Sequence, residues 1–311
     1  MIEIANLTKR YGGKGGVAAL DDVTFSVNDG EIVGFVGLNG AGKTTTIRIA
    51  SGVALPSSGK VRIDGHDIVT RKREASECLG WVPEFPNFDQ NAKAKSLLLY
   101  FAGFRQIERG VAEERASELF QQLELSGNES KKLSAYSQGM KKRFSLALAL
   151  LPDPKNLLFD ELLNGLDPQG IQFIRSLMLD LKKRGKSVLL SSHILSEIEV
   201  VSDRMVFINR GRIIKVVTRD ELASIEHSKS VLRMVVPNLN EAGLNYLRTL
   251  GSVNVESGSV TLSGFGGDPS VVSAELMRRG FLLREFSLEK TSLEEYFFKL
   301  VGESKGSQAA A

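Results

Sequence analysis

The sequence predicts an α/β protein built on a mainly parallel sheet, followed by a small α+β domain. Three patterns indicate this. Short apolar strands alternate with amphipathic helices up to about residue 217. A glycine-rich turn separates one of these strands from the helix that follows it. From about Ser228 onward the order becomes strand, helix, strand, strand, helix, strand, which is typical of a ferredoxin-like domain.

The elements of the first part follow from apolar runs bounded by Gly, Pro, Asp and Asn. We expect the turn at Asn28-Asp29-Gly30 to join its two flanking strands as a hairpin, and the same for Asn209–Arg212. The predicted strands are Ile2–Leu7, Val23–Val27, Glu31–Val36, Lys60–Ile63, Asn156–Asp160, Ser187–Ser191, Arg204–Asn209 and Arg212–Val217. The predicted helices lie at Lys43–Gly52, within Asn91–Leu125, and at Ser137–Leu151, Pro168–Arg184 and Leu195–Ser202.

The remaining elements predict a second domain and set the expected boundaries. Its strands are Val231–Val236, Val253–Glu256, Val260–Ser263 and Leu282–Phe286, and its helices are Glu241–Leu250, Pro269–Arg279 and Leu293–Val301. We therefore expect a first domain over residues 1–225, a second over 226–302 and a disordered tail over 303–311.

Composition excludes several classes of protein. The 311 residues carry a net charge of +3, too mild to indicate direct nucleic-acid binding. No secretory signal opens the chain, and no apolar stretch approaches the roughly 18 residues that a membrane-spanning helix needs. Cys78 is the only cysteine, so no internal disulfide forms and a reducing compartment is expected.

The strongest local signal is a phosphate-binding loop. Between a predicted strand and helix stands Gly37-Leu38-Asn39-Gly40-Ala41-Gly42-Lys43-Thr44-Thr45, which fits G-x-x-x-x-G-K-[ST]. The glycines let successive backbone N–H groups point at phosphate, where the helix N-terminus adds partial positive charge. Lys43 would reach the β- and γ-phosphates, and the Thr44 hydroxyl would bind Mg²⁺. The alternative is a glycine-rich turn that contains Lys-Thr by chance.

Three further side chains suit hydrolysis of a bound nucleotide. Asp160 and Glu161 end an apolar strand downstream of the loop, where Asp160 would hold Mg²⁺ and Glu161 would act as general base toward water. His193 follows the next parallel strand, at the sheet edge where such folds bind ligands. Taken alone, a strand that ends in Asp-Glu is common, and the histidine could be a surface residue that caps the next helix. The order of these residues after the phosphate-binding loop favours a catalytic role.

With these motifs, three more stretches make residues Ile2–Val217 resemble the ABC ATPase family. Tyr136-Ser137-Gln138-Gly139-Met140 is similar to the family's signature, Gly165-Leu166-Asp167-Pro168 to its D-loop and Gly80-Trp81-Val82-Pro83-Glu84 to its Q-loop. Tyr11 stands where an aromatic side chain usually stacks on adenine. The resemblance implies a P-loop NTPase core with antiparallel β and helical subdomains, the latter at about residues 85–155, and ATP with Mg²⁺ as ligands.

The resemblance also implies a dimer. Two copies of the family's domain pack head to tail, so Ser137 and Gly139 would donate to a γ-phosphate held by the partner, and Asp167 would cross the interface. Glu84 replaces the usual Gln and would approach Mg²⁺ with an added charge. Met140 in the signature resembles an exporter-like branch, and Ser292–Phe297 resembles the helix that ends an accessory domain in that branch.

The expected function is that of an ATP-hydrolysing motor for a transmembrane permease, attached to the cytoplasmic face of the membrane. The dimer could pair two identical chains or two related ones. The alternative is a soluble ABC ATPase that acts on ribosomes or nucleic acid, but the chain lacks a second cassette, sustained heptads and a basic tail. A GTPase would show an Asn-Lys-x-Asp stretch, which is absent from the sequence.

Overall fold

The computed structural model describes residues 1–12, 16–222, 231–256, 258–289 and 293–308. It divides into two compact units, Met1–Val217 and Thr218–Ala311. The domain boundary expected between residues 225 and 226 falls within 223–230, which lies outside the described residues.

The first unit contains an antiparallel sheet and a larger, mainly parallel sheet. In the antiparallel sheet the strand order is β2-β1-β4-β5, and in the other it is β10-β9-β3-β8-β7-β6. Strands β3, β6, β7, β8 and β9 form parallel pairs. The ten strands are β1 (Ile2–Tyr11), β2 (Val17–Val27), β3 (Ile32–Val36), β4 (Ser58–Ile63), β5 (His66–Asp67), β6 (Leu79–Val82), β7 (Asn156–Asp160), β8 (Ser187–Ser192), β9 (Arg204–Asn209) and β10 (Arg212–Thr218).

Helices cover these sheets and form a group of their own between β6 and β7. That group is α3 (Ala94–Phe104), α4 (Arg109–Gln122) and α5 (Gln138–Leu150), so the expected helical stretch 91–125 is two helices. The other helices are α1 (Lys43–Ala50), α2 (Lys72–Glu77), α6 (Pro168–Lys183) and α7 (Leu195–Glu199). Among the described residues no helix is long and apolar enough to cross a membrane.

The core of the first unit lies around its central strands. Strands β3, β7 and β8 are buried along their full length, as expected for parallel strands covered on both faces. One buried cluster joins the antiparallel sheet, α1 and the parallel sheet, through residues that include Ile2, Leu20, Phe35, Ile47 and Leu158.

The predicted hairpin at Asn28-Asp29-Gly30 is wrong. Strand β2 pairs with β1 and β3 pairs with β8 and β9, so this turn carries the chain from one sheet to the other. Glu31 fixes the crossing, because its carboxylate accepts from Asn28 N at 2.8 Å and from Arg204 Nε at 2.9 Å. The hairpin at Asn209–Arg212 is confirmed; Arg210 and Gly211 have φ of 48° and 79°, the positive pair that two-residue hairpin turns favour.

The second unit has the predicted β-α-β-β-α-β order. Its four-stranded sheet has the order β12-β13-β11-β14 with every neighbouring pair antiparallel. Its elements are β11 (Val231–Val235), α8 (Glu241–Leu250), β12 (Ser252–Glu256), β13 (Ser259–Ser263), α9 (Pro269–Arg278), β14 (Glu285–Glu289) and α10 (Leu293–Gln308). The core of this unit includes Leu232, Met234, Leu247, Leu262 and Leu276.

Two details of the second unit differ from expectation. Strand β14 begins at Glu285 instead of Leu282, and it pairs with β11 over Val231–Val235. Helix α10 continues through Gln308, past the expected end at Val301 and into the residues expected to form the tail over 303–311. Residues 309–311 lie outside the described part of the chain.

Candidate functional site

The glycine-rich loop joins β3 to α1 at the carboxyl edge of the parallel sheet. Gly40 and Gly42 have φ of 78° and 116°, values that disfavour any residue with a Cβ. A Cβ on Gly42 would also lie only 2.7 Å from Leu20 Cδ2. Gly42 is the N-cap of α1, so the loop leads directly to the N–H groups of the helix's first turn. This is the geometry that binds phosphate in other proteins.

Lys43 lies beneath this loop, with its side chain only 4% exposed. Its ammonium donates to Gly37 O at 2.6 Å and pairs with Glu161 Oε1 at 3.2 Å. The loop and the end of β7 are therefore joined by a buried ion pair. Ala41 joins the loop to the β9–β10 turn, because its carbonyl oxygen accepts from Gly211 N at 2.8 Å.

Asp160 ends β7 beside the loop and is also buried. Ser191, on the adjacent strand β8, donates to Asp160 Oδ1 at 2.7 Å, and Thr44 Oγ1 approaches the same oxygen at 3.4 Å. Burial raises the pKa of Asp160, and the charge of Glu161 raises it further. The hydrogen bonds from Ser191 and Thr44 and the charge of Lys43 oppose this rise, so these three partners favour the charged form of the Asp160 carboxylate.

Glu161 follows in a strained backbone conformation. Its φ is 49°, in the left-handed region, which costs a residue with a side chain about 1–2 kcal/mol. Its carboxylate is held on both oxygens: Oε1 by Lys43, and Oε2 by Asn164 Nδ2 and His193 Nδ1, each at 3.0 Å. Strain of this kind persists only where neighbouring groups maintain it, and it is frequent at functional sites.

Three residues of this arrangement were not predicted from the sequence: Lys142, Asn164 and Ser191. Lys142 is 6% exposed and donates to Leu162 O at 3.0 Å and to Asn164 O, and burial lowers its pKa. Asn164 stands three residues after Glu161, a spacing that could have indicated a turn contact. Ser191 is an unremarkable polar residue within an apolar strand, and no sequence pattern singles it out.

A cavity of about 190 Å³ lies at the loop. Glu84 also lines the cavity, and burial raises its pKa, as do the charges of Asp160 and Glu161. The lining thus combines the carboxylates of Glu84 and Glu161 with the ammonium of Lys43 and the backbone of the loop. Its lining comprises Ala19, Asn39, Gly40, Gly42, Lys43, Thr44, Thr45, Glu84, Glu161, Asn164 and His193.

Seven predicted site residues lie outside this lining. Gly37, Ala41 and Asp160 belong to the glycine-rich loop or contact it, and the other four are Ser137, Gly139, Asp167 and Tyr11. Ser137 caps α5 and accepts from Met140 N at 3.2 Å, while Gly139 in the first turn has open space around it. Asp167 caps α6 and accepts from Gly170 N at 2.9 Å. Tyr11 ends β1 with its ring 48% exposed and the ammonium of Lys9 4.9 Å from the ring centre. In one chain, Ser137, Gly139, Asp167 and Tyr11 therefore do not line this cavity.

Comparison with known proteins identifies the family. A family model described as ABC transporter matches residues 20–164. The bacitracin transport ATP-binding protein BcrA of Bacillus licheniformis is 33% identical over 97% of both chains. The Nod factor export ATP-binding protein I of Burkholderia orbicola (strain AU 1054) is 32% identical, again over 97% of each chain.

A solved structure agrees with the fold. It is that of an ATP-binding subunit of an ABC transporter, is 30% identical and covers 72% of this chain and 92% of its own, with a TM-score of 0.67. The loop, the buried Asp160–Glu161 pair and full-length likeness to transporter subunits lead to one assignment. The chain belongs to the ABC transporter ATP-binding proteins and is an ATP-hydrolysing subunit that powers a membrane transporter.

Proposed function

We propose that ATP binds in the cavity at the glycine-rich loop and that Glu161 is the general base for its hydrolysis. One observation carries this proposal: the Glu161 carboxylate is held at the cavity wall by Lys43, Asn164 and His193. A carboxylate fixed on the γ-phosphate side of the loop can accept a proton from the attacking water. His193 lines the same cavity and would steady the γ-phosphate in the transition state.

The phosphates would lie along the loop. Backbone N–H groups of Asn39–Thr45 would surround them, and Lys43 would exchange its bond to Glu161 for the β- and γ-phosphates. Adenine would stack on Tyr11, whose ring is already exposed. Loss of the Lys43 bond would leave Glu161 with Asn164 and His193, and so free one carboxylate oxygen for water.

The residues present fit Mg²⁺. Thr44 and Asp160 present oxygen atoms close together beside the loop, and Glu84 adds a carboxylate to the cavity lining. Across the described ranges no group of three or more His, Cys, Asp or Glu is arranged to hold a metal alone. That suits Mg²⁺, which usually takes one or two protein ligands together with substrate phosphates. When bound, the ion would neutralise charge on the β- and γ-phosphate oxygens.

We further propose that two chains close around two ATP molecules. Ser137 and Gly139 begin α5, and a helix N-terminus with an unobstructed glycine suits a γ-phosphate held by another chain. Asp167 at the start of α6 would contact the partner across the interface. The partner would be an identical chain or a related ATP-binding subunit.

The proposed target of this motion is a transmembrane permease, with this chain attached at its cytoplasmic face. The helices within residues 85–155 would swing on dimer closure and move the permease through the region near Glu84. A relative named for Nod factor export supports outward transport. The alternative, action on ribosomes or nucleic acid, is not favoured, because relatives matching nearly the full chain are named as transport subunits.

Residues 226–302 would form an accessory domain of the kind found in exporter-associated subunits. Its β-α-β-β-α-β order supports this view, although residues 223–230 and 290–292, which include Ser292 of the expected terminal motif, lie outside the described part. Residues 1–225 would then form the ATPase domain.

The test is ATP hydrolysis by wild type and Glu161→Gln with Mg²⁺. Gln keeps the shape and the hydrogen bond from Asn164 but cannot accept a proton, so turnover should fall by about 10²–10⁴-fold. ATP affinity should stay equal to or above that of wild type, because Lys43 loses its competing anion. Near-normal turnover of Glu161→Gln would remove Glu161 from the role of base.

A further inference from the structure

Lys142 is a buried cation that the proposed reaction does not use. It lies on α5 with 6% of its surface exposed, and burial penalises its charge. Its ammonium donates to the backbone oxygen of Leu162 at 3.0 Å, to that of Asn164 and, at 3.5 Å, to that of Glu161. All three acceptors belong to the turn that follows β7.

This turn is the strained segment that carries the proposed base. Glu161 has φ of 49°, and its N–H is bound to Ser191 Oγ at 3.0 Å. Ser191 therefore holds the start of the turn and Lys142 holds its carbonyl side. Asn164, whose carbonyl Lys142 binds, in turn donates its side-chain amide to Glu161 Oε2. One ammonium thus fixes both the backbone of the turn and the residue that orients the carboxylate.

The same cation joins the turn to the first residues of α5. Lys142 lies five positions after Ser137, about one and a half helical turns along a continuous helix. Helices are stiff over this length, so a displacement at Ser137 is transmitted to Lys142 and to the carbonyls it binds.

We propose that Lys142 is a positioning residue that holds the Glu161 turn in its hydrolytic geometry and links it to the N-terminus of α5. This rests on the proposed roles of Glu161 and of Ser137 in a two-chain arrangement. In that arrangement, ATP bound to one chain contacts α5 of the other, and Lys142 connects that contact to the second chain's own carboxylate. Each site would then align the base of the other.

The first test compares Lys142→Met, which removes the charge and all donors at similar length, with Lys142→Gln, which keeps two N–H donors. Lys141→Met is the matched control, since it removes the same charge from the neighbouring, partly exposed position. Lys142→Met should lower kcat by about 10–100-fold, the effect of misplacing a catalytic group by about 1 Å. Its Kd for ATP should stay within about threefold of wild type, since Lys142 does not border the cavity.

Lys142→Gln should lie between wild type and Lys142→Met in kcat, and Lys141→Met should match wild type. Equal kcat in wild type and Lys142→Met contradicts the proposal. A kcat of Lys142→Gln that is no higher than that of a folded Lys142→Met contradicts it as well. A parallel loss of kcat and ATP binding would mean that Lys142 only supports the fold. If Lys142→Met does not fold, Lys142→Gln decides: undiminished kcat overturns the proposal, and a lower kcat with unchanged Kd supports it.

A double-mutant cycle with Ser137→Ala tests the link along α5. If Lys142 transmits the contact at Ser137, Ser137→Ala should slow Lys142→Met by a smaller factor than it slows wild type, because only the direct loss at the partner's γ-phosphate remains. Independent effects on kcat, which multiply, would refute the link. Glu161→Gln measured in the same assay separates the positioning role of Lys142 from the general-base role of Glu161. If Glu161→Gln is inactive while the Lys142 variants keep the wild-type kcat, only the positioning role is contradicted. If Glu161→Gln is active, Glu161 is not the base.

Discussion

The Ser191 hydroxyl should stabilise the buried Asp160 carboxylate and the backbone at Glu161, and its removal should lower stability by an amount that depends on pH. Ser191 Oγ donates to Asp160 Oδ1 at 2.7 Å and accepts from Glu161 N at 3.0 Å, with all three residues buried. Hydrogen bonds to charged groups contribute about 1.5–3 kcal/mol. We expect Ser191→Ala to lower the free energy of unfolding by about this amount near pH 7, without nucleotide or metal.

The direction of the pH effect follows from Asp160. Burial, the largest cause, raises the pKa of its carboxyl in the folded state above the value of 3.8 for a free side chain. The folded state therefore binds the proton more tightly, and this residue's contribution to stability falls as pH rises through the window between the unfolded and folded pKa values. Losing the Ser191 bond raises the folded pKa further. The deficit of Ser191→Ala should thus be largest at neutral pH and shrink on acidification.

Trp81 makes the measurement specific. It is the only tryptophan and lies on β6, paired with β7, so its fluorescence in a urea titration reports unfolding of the first unit. Ser192→Ala is the matched control: Ser192 is equally buried but accepts from Ile194 N at 2.9 Å, a neutral bond of about 0.5–1.5 kcal/mol. A Ser191→Ala deficit that is independent of pH, or no larger than that of Ser192→Ala, would refute the reasoning.

Three further predictions follow from single contacts. Glu84→Gln removes one of several negative charges near the phosphates, so a fluorescent ATP analogue in EDTA should bind roughly fivefold more tightly; equal affinities would contradict a repulsive role. Tyr11→Ala should weaken ATP binding by about tenfold and Tyr11→Phe should not, because only stacking is lost; equal effects of the two would exclude stacking. Gly34→Ala places a Cβ against the Ile198 side chain and should cost about 1–3 kcal/mol in the urea assay, whereas Gly103→Ala, which enters open space, should cost nothing.

The sequence allowed prediction wherever chemistry is local. The loop at Gly37–Thr45 and the Asp160–Glu161 pair are contiguous, and the strand and helix around each could be read from apolar runs. The prediction failed at Asn28-Asp29-Gly30, because a turn-forming tripeptide does not determine which strands pair. Strand β2 lies beside β1, with Ile2 opposite Val27. The pairing is therefore set by burial of apolar side chains that lie far apart in the sequence.

The residues that support the site could not be predicted from the sequence, for a related reason. Lys142 is one of two adjacent lysines on a helix, and only the fold shows that its ammonium reaches a turn some twenty residues later. Ser191 and Asp160 meet because β7 and β8 are neighbouring strands, although the whole of α6 lies between them in the sequence. Contacts between elements distant in sequence carry no local signature.

The most direct test of the account is the oligomeric state of Glu161→Gln in Mg²⁺ and ATP, measured by sedimentation. Blocked hydrolysis should trap two chains around two nucleotides, so the variant should sediment as a dimer with ATP and as a monomer with ADP. Adding Ser137→Ala should weaken this dimer, because the contact to the partner's γ-phosphate is lost. A Glu161→Gln chain that binds ATP but stays monomeric at every concentration would contradict the shared-site arrangement.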